Sequence, residues 1–460
     1  MTGEKEDDAD TMNESTSFSM AAAGDLIQTR PLTPYEGTDD AFDRLVTQLR
    51  QTDVTIGNLE VLVHDYEGYP AATSGGTYMR SPPAVLDDLD QLGFDLFSAA
   101  TNHTFDYSHG GITATIKNLE ERNVPYAGIG ETLYDARKPA YVETPAGRVA
   151  LISACTSFPP GSEAGKQSPT LPGRPGLNPI HVSTVHELPP EELERLKQLS
   201  ETVGIEAVKR DWFDRGLLYG HDWANDQFFH FSDMKFAATD GEPGIVYQEN
   251  EADVGAFEAA IDTAEKNADW VVASIHSHQG VGGLGKTAKT PAFLERTAHR
   301  AIDAGADAVL SHGPHVLRGV ELYEQRPIFY SLGNFVVQNE TVSKLPPESF
   351  DRYDLDDDGY VADVFEQRLY DQSGDPKGDL VDDRFWTTVL PVCEFTETEL
   401  SIRLYPCTLQ GQKDRPQRGI PNVADGSEAT EIIDHLAELS LEYGTDIETT
   451  EGCGEIRCVR

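Results

Sequence analysis

Cysteine is scarce in this chain of 460 residues: five, at Cys155, Cys393, Cys407, Cys453 and Cys458. They are too few and too scattered for a disulfide framework. Cys453 and Cys458 could pair, and a Cys-x4-Cys without nearby His is a weak metal motif, so all five are expected to be reduced. Long apolar runs are missing too. No stretch approaches the ~20 apolar residues of a membrane span. The acidic start, MTGEKEDDADTMNEST, has neither the basic nor the apolar region of a secretory signal. A cytoplasmic protein without a membrane span is expected. Basic charge is short as well: 36 Lys and Arg face 79 Asp and Glu, a net charge of −43. A nucleic-acid binder needs the opposite sign, so no nucleic-acid partner is expected. The basic residues are 23 Arg and 13 Lys. Few Lys and many carboxylates suit a halophilic protein, whose self-repulsion concentrated salt would screen. The plainer reading is an acidic surface with no specific partner.

What the chain does have is a rhythm. Short apolar runs at Phe18–Ala23, Val54–Gly57, Phe94–Ala99, Val149–Ser153, Trp270–Ile275, Ala308–Ser311 and Pro327–Tyr330 read as buried strands. Helical patterns at Asp40–Leu49, Ala84–Leu92, Ile112–Arg122, Asp253–Lys266 and Pro291–Ala304 fall between several of them. Strand alternating with helix predicts an α/β fold. The later runs Phe385–Phe395 and Leu400–Leu404 lack intervening helices and predict antiparallel strands.

Two stretches break the rhythm. Residues 177–244 hold one strong helix, Pro190–Val203, and an aromatic-rich segment with Trp212, Trp223 and Phe228. They read as an insertion that caps a site. Lys344–Arg384 is Asp-rich; Asp354, Asp356, Asp358 and Gly359 match half a calcium loop, but Phe365 stands where a bidentate Glu belongs. An acidic solvated loop is the better reading. A helix, Glu428–Tyr443, closes the chain. The expected organisation is a disordered acidic tail (1–16), a domain over 17–340 with the 177–244 insertion, and 341–460 completing that domain.

The chemistry collects after the apolar runs. Gly24-Asp25 follows the first, Asn58-Leu59-Glu60 the second, and Thr101-Asn102-His103 the third, with Asp106 close behind. Two later runs end in His276-Ser277-His278 and Ser311-His312-Gly313-Pro314-His315. In α/β sheets ligands bind beyond the carboxyl ends of strands, and mixed O and N donors at one rim suit a divalent metal. Each piece has a bland alternative: a turn for Gly24-Asp25, a cap for Asn58–Glu60, a satisfied histidine for one of His276 and His278. His299 reads as part of a solvated helix face.

The stretches GDLIQTR (24–30), GNLE (57–60), TNHTFDYSHGGITATIKNLEERNVPYAGIG (101–130), GRVALIS (147–153), RPGLNP (174–179) and SHGPHVLRGVELYEQRPIFYSLGNF (311–335) come in a telling order. Together they resemble the CapA family of poly-γ-glutamate capsule biosynthesis, a branch of the calcineurin-like metallophosphoesterases. That resemblance implies a four-layer α/β/β/α sandwich with an inserted cap. It also implies two divalent metal ions (Mn, Fe, Zn or Mg) held by Asp25, Glu60, Asn102, His276, His278, His312 and His315. His103, oriented by Asp106, would be the acid/base, and Arg30 would offset substrate charge. The motifs depart from the superfamily pattern: Asp25-Leu26-Ile27 replaces Asp-x-His, Glu60 replaces Asp, and the last pair is His-x-x-His. Three functions fit: a hydrolase of phosphate esters, a metal-dependent epimerase tailoring a peptide, and a non-catalytic accessory of poly-γ-glutamate synthesis or export. The substrate is accordingly a small molecule, a peptide or a polyglutamate-type polymer.

Overall fold

A computed structural model describes residues 17–217, 227–356, 359–396 and 398–459. The expected tail 1–16 and Trp223 lie outside these residues. The protein is a mixed α/β structure with several multi-stranded sheets. The largest has ten strands around Phe18–Ile27, which pairs in parallel with Val54–Asn58 and Asn334–Val337 and antiparallel with Thr387–Phe395. Val54–Asn58 pairs in turn with Leu96–Ser98. A six-stranded sheet centres on Trp270–His276, flanked in parallel by Gly147–Cys155 and Ala308–His312.

Alternation along these strands divides the core. Phe18, Met20 and Ala22 of the large sheet and Leu151, Val272 and Leu310 of the smaller one share a single buried cluster, so the two sheets pack on each other. Ala21 and Ala23 face the other way, onto Phe42, Leu45 and Leu49 of the helix Asp40–Gln51. On the smaller sheet, Ala150, Ile152, Ala273 and Ile275 pack on Phe257, Ile261, Phe293 and Leu294 of the helices Glu251–Glu265 and Ala292–Asp303. Period two on the strands and 3.6 on the helices produce this layering. Caps fix the helix starts: Asp39 accepts from the Ala41 amide, and Asn250 from the amides of Ala252 and Asp253.

Parallel pairing aligns strand ends, and that alignment builds the site. Asp25 stands opposite both Asn58 and Asn334, and His276 opposite His312. The close fit requires glycine at Gly24, where a Cβ would lie 2.1 Å from the Gly333 carbonyl oxygen.

Three expectations need correction. Lys344–Arg384 is not simply a solvated loop: it contains the helices Pro347–Asp351 and Val361–Leu369, and Phe350, Val364, Phe365 and Leu369 are buried. His299 does not only face solvent. Its Nε2 lies 2.8 Å from Glu321 Oε2, and its ring stacks 3.9 Å from that of Tyr323. The 177–244 stretch carries more than one helix. Pro190–Thr202 and Ile205–Asp214 accompany a separate four-stranded sheet of Val182–Leu188, Phe229–Phe231, Met234–Ala238 and Gly244–Glu249. All five cysteines are free thiols, with Cys155, Cys393 and Cys407 buried. No helix among the described residues is long and apolar enough to cross a membrane.

Candidate metal centre

Glu60 occupies the middle of the site. It is fully buried, and neither carboxylate oxygen has a hydrogen-bond partner. Around its Oε1 stand four imidazole Nε2 atoms: His276 at 3.7 Å, His103 and His315 at 3.8 Å, and His278 at 3.9 Å. Asp25, also fully buried, lies 3.1 Å through Oδ2 from His315 Nδ1 and 3.7 Å through Oδ1 from His312 Nδ1. Asn102 Oδ1 is 2.9 Å from His276 Nε2, which is itself 3.2 Å from His278 Nε2. Two sets of donor atoms converge within 4.8 Å, Asp25–Glu60–His276 and Glu60–His278–His315, and Glu60 belongs to both.

The electrostatics suit a cation. Burial above all, then the negative charge of Asp25, pushes the Glu60 carboxyl well above the usual range. For Asp25, burial pushes upward, but the His315 hydrogen bond and the surrounding imidazoles outweigh it and bring the group to about 2. Burial also drives His276 down to about 3, His312 to about 4 and His278 well below its ordinary value. Neutral imidazoles with free lone pairs are the form that binds metal. An unpaired carboxylate buried among them is unfavourable by itself. A divalent cation removes that conflict, so the residues present fit one.

The supporting groups set ring orientation. Asn334 Oδ1 lies 2.8 Å from His315 Nδ1, which leaves Nε2 facing Glu60, while Asn334 Nδ2 donates to the Phe385 carbonyl. Asn58 Nδ2 donates to Asp25 Oδ1 and lies 3.2 Å from His276 Nδ1. The His-x-x-His spacing works because Gly313 (φ 112°) and His315 (φ 59°) are both left-handed and turn the chain back toward Asp25. Such a conformation at a non-glycine costs about 1–3 kcal/mol, and it is held here by the surrounding packing.

His103 and Asp106 form a dyad. His103 Nδ1 is 2.6 Å from Asp106 Oδ2, and Asp106 also accepts from the amides of Gly75 and Met79. A carboxylate already accepting from two fixed amides orients the ring, so Nε2 faces the cluster. Gly75 belongs to a strap over the dyad: its carbonyl accepts from Asn102 Nδ2, and a Cβ there would lie 2.5 Å from the Asn102 carbonyl oxygen.

Asp25, Glu60, Asn102, His276, His278, His312, His315, His103 and Asp106 are thus brought together. The backbone of Arg30 bonds the side chains of Gln338 and Gln28, and its buried Nε has no hydrogen-bond partner. Asn334 and the Gly75 strap escaped the sequence reading, whereas Asn58, expected beside Glu60, bonds Asp25. Asn334 lies in the quoted SLGNF motif, the one signal that could have marked it. Residues of the insertion, among them His181, Phe228 and Lys235, line a cavity of about 690 Å³ together with Thr156 and Phe158. Thr156 donates its amide to the His276 carbonyl. Of the aromatics expected to form a wall, Phe228 lines this cavity and Trp212 is about one-third exposed (37%) on its helix.

Residues 19–339 match the family model described as bacterial capsule synthesis protein PGA_cap. The chain is 33% identical over 449 residues to an uncharacterized Sinorhizobium fredii protein, y4sH, covering 96% of this chain and 93% of that one. It is 26% identical over 370 residues (79% and 70% covered) to the capsule biosynthesis protein CapA of Bacillus anthracis. To the PGA biosynthesis protein CapA of Bacillus subtilis it is 24% identical over 323 residues (69% and 63% covered).

Proposed function

Because the chain belongs to the bacterial capsule synthesis protein family, we propose that it is a metal-dependent enzyme of capsule biosynthesis, a hydrolase of phosphoester type. The observation that carries this reading is Glu60: a buried carboxylate without hydrogen bonds, shared by two donor sets and faced by the His103–Asp106 dyad. Asp25, Glu60, His276, His278, His315 and Asn102 would hold the cations, with His312 beside Asp25. A divalent cation there supplies Lewis-acid polarisation of a phosphoryl or carbonyl oxygen.

The remaining chemistry belongs to the chain. Asp106 accepts from His103 Nδ1, which leaves Nε2 to give a proton to a departing alkoxide on the side of Glu60. Asn102, tied to the Gly75 carbonyl, holds the neighbouring backbone so that the ring cannot swing away. The buried position of Glu60 and Asp25 keeps bulk water from competing for the cluster. We take the two packed sheets and their outer helices as the four-layer sandwich of the calcineurin-like enzymes, with residues 341–460 completing the same domain.

Metal analysis of the purified protein, followed by turnover of a generic phosphodiester with Mn²⁺, tests this. Two cations with turnover are expected. Two cations without turnover would overturn the hydrolase reading in favour of peptide tailoring, and no cation would leave only the accessory role.

A further inference from the structure

Basic side chains are rare in a chain of net charge −43, which makes their placement around the metal centre informative. Lys286 is ion-paired with Asp379, and its Nζ sits 4.5 Å from the centroid of the Phe385 ring. That ring is 5.9 Å from the ring of His315. One aromatic ring therefore separates Lys286 from a residue of the cluster. On the opposite side Arg368 donates from Nη1 to Thr77 Oγ1 at 2.7 Å, and its Nη2 lies 3.7 Å from Asp379 Oδ2. Thr77 follows Gly76, where a Cβ would lie 3.6 Å from His103 Cε1. Asp379 thus joins two cations, one on the His315 side and one on the His103 side. Asp382, paired with Arg384, also faces Lys286, so three cations meet two carboxylates and one positive charge is left over.

This arrangement is anchored. The buried Arg318 donates to the carbonyls of Gln279 and Thr287, which fixes the loop carrying Lys286. Trp386 Nε1 donates to the Asp379 carbonyl at 2.7 Å and fixes the turn opposite. Lys286 and Arg368 are about one-third exposed, 39% and 35%, so a ligand can reach them. Their geometry differs from that of an ordinary surface ion pair, which has one partner for each charge.

We propose that Lys286 and Arg368 form an anion subsite at the lip of the metal centre, which takes a carboxylate or phosphate of the substrate remote from the reacting bond. The subsite rests on the metal-dependent reading above. Asp379 acts as its internal counter-ion, keeping the two cations in place until the substrate's charge enters.

The test uses calorimetric binding of three probes to the Mn²⁺-loaded full chain at about 0.5 M NaCl, where the long-range repulsion of anions by the acidic surface is screened. One is a six-carbon alkylphosphonate, the second the same chain ending in a carboxylate, and the third the same chain ending in a second phosphonate. The second charge should tighten binding about five- to tenfold, and the tail with the larger gain names the group recognised. K286Q/R368Q should lose that gain while binding the plain alkylphosphonate as the wild type does, which also shows that the variant is folded. Asp379→Asn should act oppositely and tighten the two-headed probes further, a result a merely structural role would not give. Equal affinity for one-headed and two-headed probes, or a gain that survives K286Q/R368Q, overturns the subsite alone. Failure of every probe to bind the loaded protein overturns the metal-centre reading and the subsite with it.

Discussion

Replacing Glu60 by Gln removes one negative charge and almost no volume, and the structure makes its consequences separable. Glu60 is common to both donor sets, so the substitution should disable both cation positions at once. Asp25 belongs to one set only, so Asp25→Asn should spare the other. A cation present at 100 times its Kd stabilises the fold by about 2.7 kcal/mol. Unfolding entropy near 2.1 cal/mol/K per residue, over 460 residues, is about 1 kcal/mol/K. Each bound cation should therefore raise Tm by about 3 °C. The wild type should gain about 6 °C from Mn²⁺ after chelation, Asp25→Asn about half of that, and Glu60→Gln less than about 1 °C.

The metal-free proteins give an independent arm. Both Glu60 oxygens lack donors, so the carboxylate contributes nothing that the chelated fold would miss. Burial without a partner raises the Glu60 carboxyl, so relieving that charge should make chelated Glu60→Gln melt at or above chelated wild type at about pH 7. Differential scanning fluorimetry with EDTA and then Mn²⁺ measures both. A Glu60→Gln protein that keeps more than half of the Mn²⁺ shift, or that melts far below wild type in EDTA, would refute the assignment.

His103→Ala should leave metal content intact and cut turnover by roughly 10²–10⁴-fold, the usual worth of a positioned acid or base; loss of metal in that variant would instead make His103 a ligand. Phe365 is 2% exposed in the core, so Phe365→Ala should cost about 3–5 kcal/mol and lower Tm by roughly 3–5 °C, whereas a solvated-loop residue would show almost no change. His181 is raised to about 9, chiefly by hydrogen bonds to Asp253 and Glu163. Because its folded pKa lies above the unfolded value near 6.5, its stabilisation is complete below that value and fades as pH rises through about 9. His181→Ala should therefore lower Tm at pH 6 and not at pH 10, and a Tm loss independent of pH would assign the effect to packing.

The strands were the most legible part of the sequence, because Trp270–His276 and Ala308–His312, each flanked by strands on both sides, need apolar residues on both faces. The polar residues at their ends then stand out against an apolar background. Asp25, Glu60, Asn102 and the histidines were visible for that reason. Asn334 was not, because its role comes from pairing opposite Asp25, about two thirds of the chain away. The insertion's sheet was hidden because Val182–Leu188 is only half-buried and its sequence, VSTVHEL, lacks a sustained apolar run. The helix Val361–Leu369 was masked by the Asp-rich stretch before it, although Val364, Phe365 and Leu369 form a buried face. In that stretch tertiary burial decided what composition could not.

The charge of −43 and the metal centre are connected through the field at the site mouth. A surface of that sign concentrates divalent cations and accelerates their capture, and it repels any anionic substrate by the same amount per unit charge. A buried site with Asp25 and Glu60 gains from the first effect, while a phosphate or carboxylate ligand suffers from the second. Salt screens both over about 8–10 Å at ordinary ionic strength and over about 3 Å at 1 M. Local contacts shorter than that distance survive screening. Asp379, with Lys286 and Arg368 each within a few ångströms of its carboxylate, is such a contact. Raising salt should therefore weaken long-range repulsion of an anionic substrate faster than it weakens short-range attraction at the lip. An optimum of substrate affinity at elevated ionic strength follows for the wild type, and its loss in K286Q/R368Q would locate the attraction at the lip rather than in the surface as a whole.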